Sequence, residues 1–322
     1  MSTSRPTLDP EITSFVEQMQ RAWASHPPLA TLSPPEARAV AEEVRRPWRQ
    51  GGPQMARTSE HMVPTRSGDL RIRLYDPGVA RPAPALVYMH GGGFVLFSID
   101  THDRLMREYA AAAACLVVGV DYPLSPEHPY PAALNSIVDL VGWMHGPNAQ
   151  RLGLGPAIAL GGDSAGANLA LSAAMTLRDR GEPDRITALL LNYGAFGAVC
   201  SDRAEALFGG PGAVLDRAEM EYYFDSYIGE PGKGHEIDDP YARPIIGDLH
   251  DLPPSLLIIP ECDLLTEQSR AMEERMREAN VEVSAIIYPG ATHSFLEAMS
   301  VADIARRAIA DGAAFVKARL AN

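Results

Sequence analysis

Apolar residues recur at three- and four-residue spacing near the start of the chain: Ile12, Phe15, Val16, Met19 and Trp23 form one stripe. Asp9 stands where a cap belongs and Pro10 at the first helical position, so a helix is predicted there. A second helix opens at Ser33 and Pro34, with Glu36 completing a capping box and Val40 and Val44 extending the stripe. Gly51 to Pro53 break it. From about residue 60 the pattern shifts to short β-branched and aliphatic runs at 70–75, 85–90, 116–122, 157–162, 186–193, 255–261 and 283–289. Ala85–Met89 and Leu116–Val120 are almost continuously apolar, as strands buried on both faces of a parallel sheet must be. Helical periodicity fills the later intervals, most clearly in Val301, Ile304, Ala305, Ala308, Ile309, Gly312, Phe315 and Val316. Alternating strand and helix predict an α/β fold with a mostly parallel, doubly wound sheet. Residues 195–246, rich in Gly, Pro and aromatic side chains, interrupt the alternation. They read as an insertion at the carboxyl edge of the sheet, placed to cover a site. The expected divisions are 1–53, 54–194, 195–246 and 247–322, with no internal repeat.

Composition narrows the function classes. The 322 residues are 46% hydrophobic, enough for one large core, and 28 Lys and Arg stand against 41 Asp and Glu for a net charge of −13. With no basic run, nucleic acid is not an expected partner. Met1–Pro10 is polar and no stretch approaches the roughly 20 apolar residues that span a bilayer, so a soluble, cytoplasmic protein without a membrane partner is expected. Cys115, Cys200 and Cys262 are too scattered for a disulfide framework or a metal set and read as free thiols.

Candidate chemistry begins at Gly162-Asp163-Ser164-Ala165-Gly166, a G-x-S-x-G sequence between the apolar run Ala157–Leu160 and a helical stretch over 165–178. A tight strand-to-helix turn needs small neighbours to hold a serine Oγ above the sheet, which accounts for the glycines. Alone, the sequence also fits an ordinary turn capped by serine. His90-Gly91-Gly92-Gly93-Phe94 directly follows the run Ala85–Met89. Paired backbone N–H groups stabilise the oxyanion of acyl transfer, and Gly92, Gly93 and Ala165 are the expected donors. No Lys-Ser or Lys-Thr follows, which counts against a phosphate cradle. Of nine histidines, His293 lies just beyond the run 283–289, and Asp263 just beyond 255–261. The order Ser, Asp, His with both partners at strand carboxyl ends makes them the expected base and orienting acid. Glu261 and Glu267 remain rival acids. His90 and His128 read as structural partners of their loops. No H-E-x-x-H or comparable spacing occurs, so neither a metal nor another cofactor is expected.

With these residues in view, the chain resembles the bacterial hormone-sensitive-lipase-like carboxylesterases (family IV), through HGGGF at 90–94, GDSAG at 162–166 and DYPLSPEHPYPAA at 121–133. Asn192–Gly197 and Tyr288–Phe295 look closer still to the family's acetyl esterases. The resemblance covers residue 55 onward. It implies an α/β-hydrolase fold with a helical cap built from residues 1–53 and 195–246, and a small-molecule ester as partner. It also implies that Glu127 supports the nucleophile turn. Family members usually carry proline after the acid, where this chain has Leu264. Phe94, Phe97, Tyr193, Phe196 and Phe295 are expected to close the substrate pocket, which favours acetyl to butyryl groups. A homodimer is compatible with this picture. Amide deacylation and acyl transfer use the same acyl-enzyme and stay open as alternatives. A non-catalytic receptor of this fold would lack the catalytic histidine, and His293 argues against it.

Overall fold

The computed structural model describes residues 6–210 and 212–321. Ten helices alternate with or flank eight strands. Helices α1 (Pro10–Ala24) and α2 (Pro34–Arg45) precede strands β1 (Arg57–Thr65), β2 (Gly68–Asp76) and β3 (Ala83–Met89). Then follow α3 (Asp103–Ala113), β4 (Leu116–Asp121), α4 (Ala132–Met144), α5 (Pro147–Arg151), β5 (Leu154–Asp163), α6 (Ala165–Asp179) and β6 (Ala188–Asn192). Among its described residues, the 195–246 segment contributes no strand and carries α7 (Asp202–Phe208) and α8 (Arg217–Ile228). The chain closes with β7 (Ser255–Pro260), α9 (Thr266–Glu278), β8 (Val283–Tyr288) and α10 (Asp303–Leu320).

The strands form one sheet in the order β1-β2-β4-β3-β5-β6-β7-β8. Pairing is parallel from β4 through β8, with Val87 of β3 between Val118 of β4 and Leu160 of β5. β1 and β2 pair antiparallel with each other, and β2 pairs antiparallel with β4. Side chains alternate across the pleat. Val87 and Met89 enter the core under α4 and α6, while Leu86 and Tyr88 enter the core under α3 and α10. Central strands are thus apolar on both faces.

Strand β1 was not anticipated. Its residues are mostly exposed or half-buried, and Pro64 and Glu60 disguise the period. It persists as an edge strand because nine residues pair with β2 and Glu60 accepts from Arg71 and Arg73.

Both N-terminal helices form as expected. Asp9 accepts the Glu11 N–H at 2.8 Å, and Ile12, Phe15, Val16 and Met19 are buried. Glu36 accepts the Ser33 N–H at 2.9 Å. α2 lays Ala37 and Ala41 against Val95 and Leu96, and its Arg38 donates to the carbonyls of Val95 and Ser125, each at 2.8 Å. The loop after β3 is therefore held by residues more than fifty positions earlier. Among the described residues, no helix is long and apolar enough to cross a membrane.

Candidate active site

Four loops leaving the carboxyl ends of β3, β5, β7 and β8 meet above the sheet. Ser164 forms the turn between β5 and α6 with φ 53° and ψ −118°, a conformation that costs a non-glycine residue energy. The surroundings over-determine it. The Ser164 N–H donates to the Asn192 carbonyl at 2.9 Å, and its own carbonyl accepts from Ala167 and Ala195 at 3.1 and 3.2 Å. Close approach also dictates Gly166, where a Cβ would collide with the Met89 carbonyl.

The Ser164 Oγ lies 3.0 Å from Nε2 of His293, whose Nδ1 lies 2.8 Å from Oδ2 of Asp263. All three residues are buried, Ser164 keeping 7% of its surface accessible and Asp263 only 1%. The second Asp263 oxygen accepts the Leu265 N–H at 3.1 Å, so the carboxylate cannot rotate freely. With Nδ1 protonated and bonded to Asp263, Nε2 presents its lone pair to the serine hydroxyl. Leu264, in place of the family's proline, does not disturb this geometry.

The rival acids lie elsewhere. Glu261 accepts the Gly290 N–H at 3.1 Å, and Glu267 accepts the Ser201 hydroxyl at 2.6 Å. His90 stacks on Tyr122 with ring centres 4.3 Å apart and bonds the Gly91 carbonyl at 2.7 Å. Burial, reinforced by His102, pushes its pKa down to about 3, so it stays neutral. Its role is in the loop, and so is that of His128, whose N–H donates to the Leu124 carbonyl. Glu127 does not reach the nucleophile turn. Its carboxylate pairs with Arg38 at 2.6 and 2.9 Å, which fastens α2 to the loop after β4 instead.

The N–H groups of Gly92, Gly93 and Ala165 make no hydrogen bond among the described residues. Gly93 has φ 61° and faces the Tyr223 ring so closely that a Cβ would overlap it. A side chain there would displace α8 or the loop.

Gly92 and Gly93 open onto a cavity of about 610 Å³, lined also by Ser164, His293, residues of α1 and α2, and residues of α8. Of the rings expected to line it, Phe94 and Phe97 do. Tyr193, Phe196 and Phe295 do not, and the expectation is corrected for them. Tyr193 takes φ 37° after β6, which directs its ring behind His293, 5.2 Å away edge-on. Phe295 packs on Tyr288 and Tyr193 in the α10-side core. Phe196 is buried in the opposite core. They support the site from behind.

Beneath Ser164 lies a charged group that sequence reasoning missed. Asp163 accepts from the Tyr88 hydroxyl at 3.0 Å and lies 3.4 Å from Nε2 of His102. Burial alone would raise the Asp163 pKa, but His102, Tyr88 and His90 together outweigh it and hold the carboxylate below its ordinary value. Burial likewise opposes a charge on His102, yet Asp163 and Glu297 raise its pKa. Glu297 in turn forms a buried ion pair with Arg45 of α2. Nothing in the local pattern marks these four side chains as neighbours.

Residues 86–297 match the model of a family described by the alpha/beta hydrolase fold. The chain belongs to this family. Among solved structures, this alpha/beta hydrolase is similar to a hyperthermophilic esterase from the archaeon Pyrobaculum calidifontis. The identity is 32% over 97% of this chain and 98% of that one, with a TM-score of 0.89. A thermostable carboxylesterase cloned from a metagenomic library shares 30% identity over 90% of this chain and 99% of its own, with a TM-score of 0.84. An esterase from the fungus Rhizomucor miehei shares 27% identity over 99% of both chains, with a TM-score of 0.90. The resemblance to carboxylesterases read from the three motifs thus extends over nearly the whole chain.

Proposed function

We propose that this serine ester hydrolase is a carboxylesterase whose nucleophile is Ser164, with His293 as general base and Asp263 orienting it. The observation that carries the reading is the continuous chain Ser164 Oγ, His293, Asp263, at 3.0 and 2.8 Å, opening onto a cavity beside three unengaged N–H groups. His293 takes the serine proton as Oγ attacks the ester carbonyl. The N–H groups of Gly92, Gly93 and Ala165 then hold the oxyanion. The protonated imidazole returns its proton to the leaving alcohol. Water, activated by the same histidine, attacks the acyl-enzyme, releases the acid and restores the serine.

We further propose an acyl group of acetyl to butyryl size. Phe94 and Phe97 border the oxyanion loop, and both are locked. The Phe94 ring stacks on Tyr227 at 3.8 Å, and Phe97 lies under the Arg45 guanidinium at 4.6 Å. Rings that cannot swing aside limit the acyl end, because each misfit group costs roughly 1–3 kcal/mol against ~0.8 kcal/mol gained per buried methylene. The remaining cavity, walled by α1 and α8, takes the alcohol. The test is kcat/KM for p-nitrophenyl esters of about two to twelve acyl carbons. A maximum at four carbons or fewer is expected. A maximum at eight or more refutes the short-acyl reading and leaves the triad in place.

A further inference from the structure

One polar side chain on the cavity wall has no role in the chemistry above. Glu219, on the first turn of α8, lines the cavity together with Ser164 and His293. One carboxyl oxygen accepts the Asp216 N–H at 3.1 Å, and the Glu219 N–H donates to the Asp216 carboxylate at 2.9 Å. This capping box fixes where the carboxyl points. The other oxygen, Oε1, makes no hydrogen bond among the described residues, and neither Glu219 nor Asp216 has an ion-pair partner there. Arg45, which lines the same cavity, and Arg217, two residues earlier on α8, are taken by Glu297 and Asp202.

An unpartnered carboxyl in an apolar cavity is costly unless something that enters the cavity pairs with it. Burial pushes the Glu219 carboxyl up to about 7, and the neighbouring His293 pulls the other way. An arriving cation would favour the ionised form. The rest of the wall suits such a guest: Trp23, Phe97, Tyr222, Tyr223 and Phe224 line the same cavity. Aromatic faces attract ammonium groups, most strongly where water is excluded. Tyr223, one helical turn beyond Glu219 on the same face of α8, lies over Gly93, which brings the carboxyl within reach of the alcohol moiety of an ester whose carbonyl occupies the oxyanion site.

Resting on the carboxylesterase reading, we propose that the cavity selects esters whose alcohol carries a quaternary or protonated ammonium group, with Glu219 as the residue that recognises the cation.

Acetylcholine and 3,3-dimethylbutyl acetate provide the test, since they match in shape and acyl group and differ in charge. Glu219→Gln keeps the capping contact, because an amide oxygen also accepts the Asp216 N–H. Wild-type enzyme is expected to prefer the cationic ester over the neutral one by about tenfold or more in kcat/KM, and Glu219→Gln is expected to bring that ratio close to one. An unchanged preference in Glu219→Gln, or a wild type that favours the neutral ester, overturns the proposal. Calorimetric binding of both esters to Ser164→Ala separates this inference from the reading it rests on. Tight cation binding that Glu219→Gln removes, without turnover in the wild type, sinks the esterase reading alone. Equal binding of the two esters sinks the cation site alone.

Discussion

Arg45 and Glu297 stand 252 residues apart in the sequence and meet as a buried ion pair, their side chains 5% and 4% exposed. Arg45 closes α2, and Glu297 lies on the 3-10 turn Phe295–Ser300 that begins two residues after His293. The pair therefore joins the N-terminal helices to the loop carrying the base. The Arg45 guanidinium also covers Phe97.

Glu297→Gln leaves the arginine charge buried without its partner, and such a break costs about 3–5 kcal/mol. The double variant Arg45→Met/Glu297→Leu removes both charges and fills the space, so it should recover most of that loss. Denaturant unfolding at neutral pH measures both. A loss below about 1 kcal/mol in the single variant would show that the pair is replaceable by water.

Ser164→Ala should lower kcat by about 10⁶ while leaving the fold intact, because Ser164 N–H and C=O, which hold the turn, are untouched. An organophosphate should label Ser164 and no other serine, as read by mass spectrometry of the digested protein. A variant that keeps a tenth of the activity would transfer the nucleophile's role elsewhere.

Asp263→Asn should reduce kcat by about 10⁴, since an amide NH₂ facing Nδ1 favours the wrong imidazole tautomer. Glu261→Gln should change it far less, because its carboxylate engages the Gly290 N–H rather than the imidazole. Steady-state kinetics of the two variants decide between the acids, and the reverse ranking would move the role to Glu261.

Why some of this was legible in sequence and some was not has a physical basis. HGGGF and GDSAG are readable because a positive φ at Gly93 and the contact between Gly166 and Met89 restrict the residue type locally. Strands β3 to β7 are readable because burial on both faces of their central stretches leaves apolar runs. β1 is an edge strand with one face in solvent, so its composition follows water more than the sheet. The rings at 193, 196 and 295 illustrate a different limit. Phe295 follows His293 by two residues and Tyr193 and Phe196 follow β6, but the direction of these rings depends on a turn at Tyr193 and a 3-10 turn after Ser294 that no period reveals. Glu219 looks like any capping-box glutamate until the cavity is seen behind it. The Arg45 and Glu297 pairing rests on tertiary packing alone.

The Asp163 and His102 contact should give the protein a stability that depends on pH in a definite direction. Asp163 is held below its ordinary 3.8, so its contribution is complete above that value and fades as the pH falls through the lower, folded one. His102 is raised above its ordinary 6.5, so its contribution is complete below 6.5 and is lost as the pH rises through the higher, folded value. Between those limits the pair is charged on both sides, and stabilisation is greatest. His102→Gln keeps a hydrogen-bonding side chain of similar reach but cannot carry the charge. The stability difference between wild type and His102→Gln should therefore be larger near about pH 5.5 than at about pH 9, because the wild-type imidazole loses its proton as the pH rises through its raised, folded value. Urea unfolding of both proteins at the two pH values measures it. If the difference stays constant across that range, His102 does not titrate within it, and the expected pH dependence is refuted.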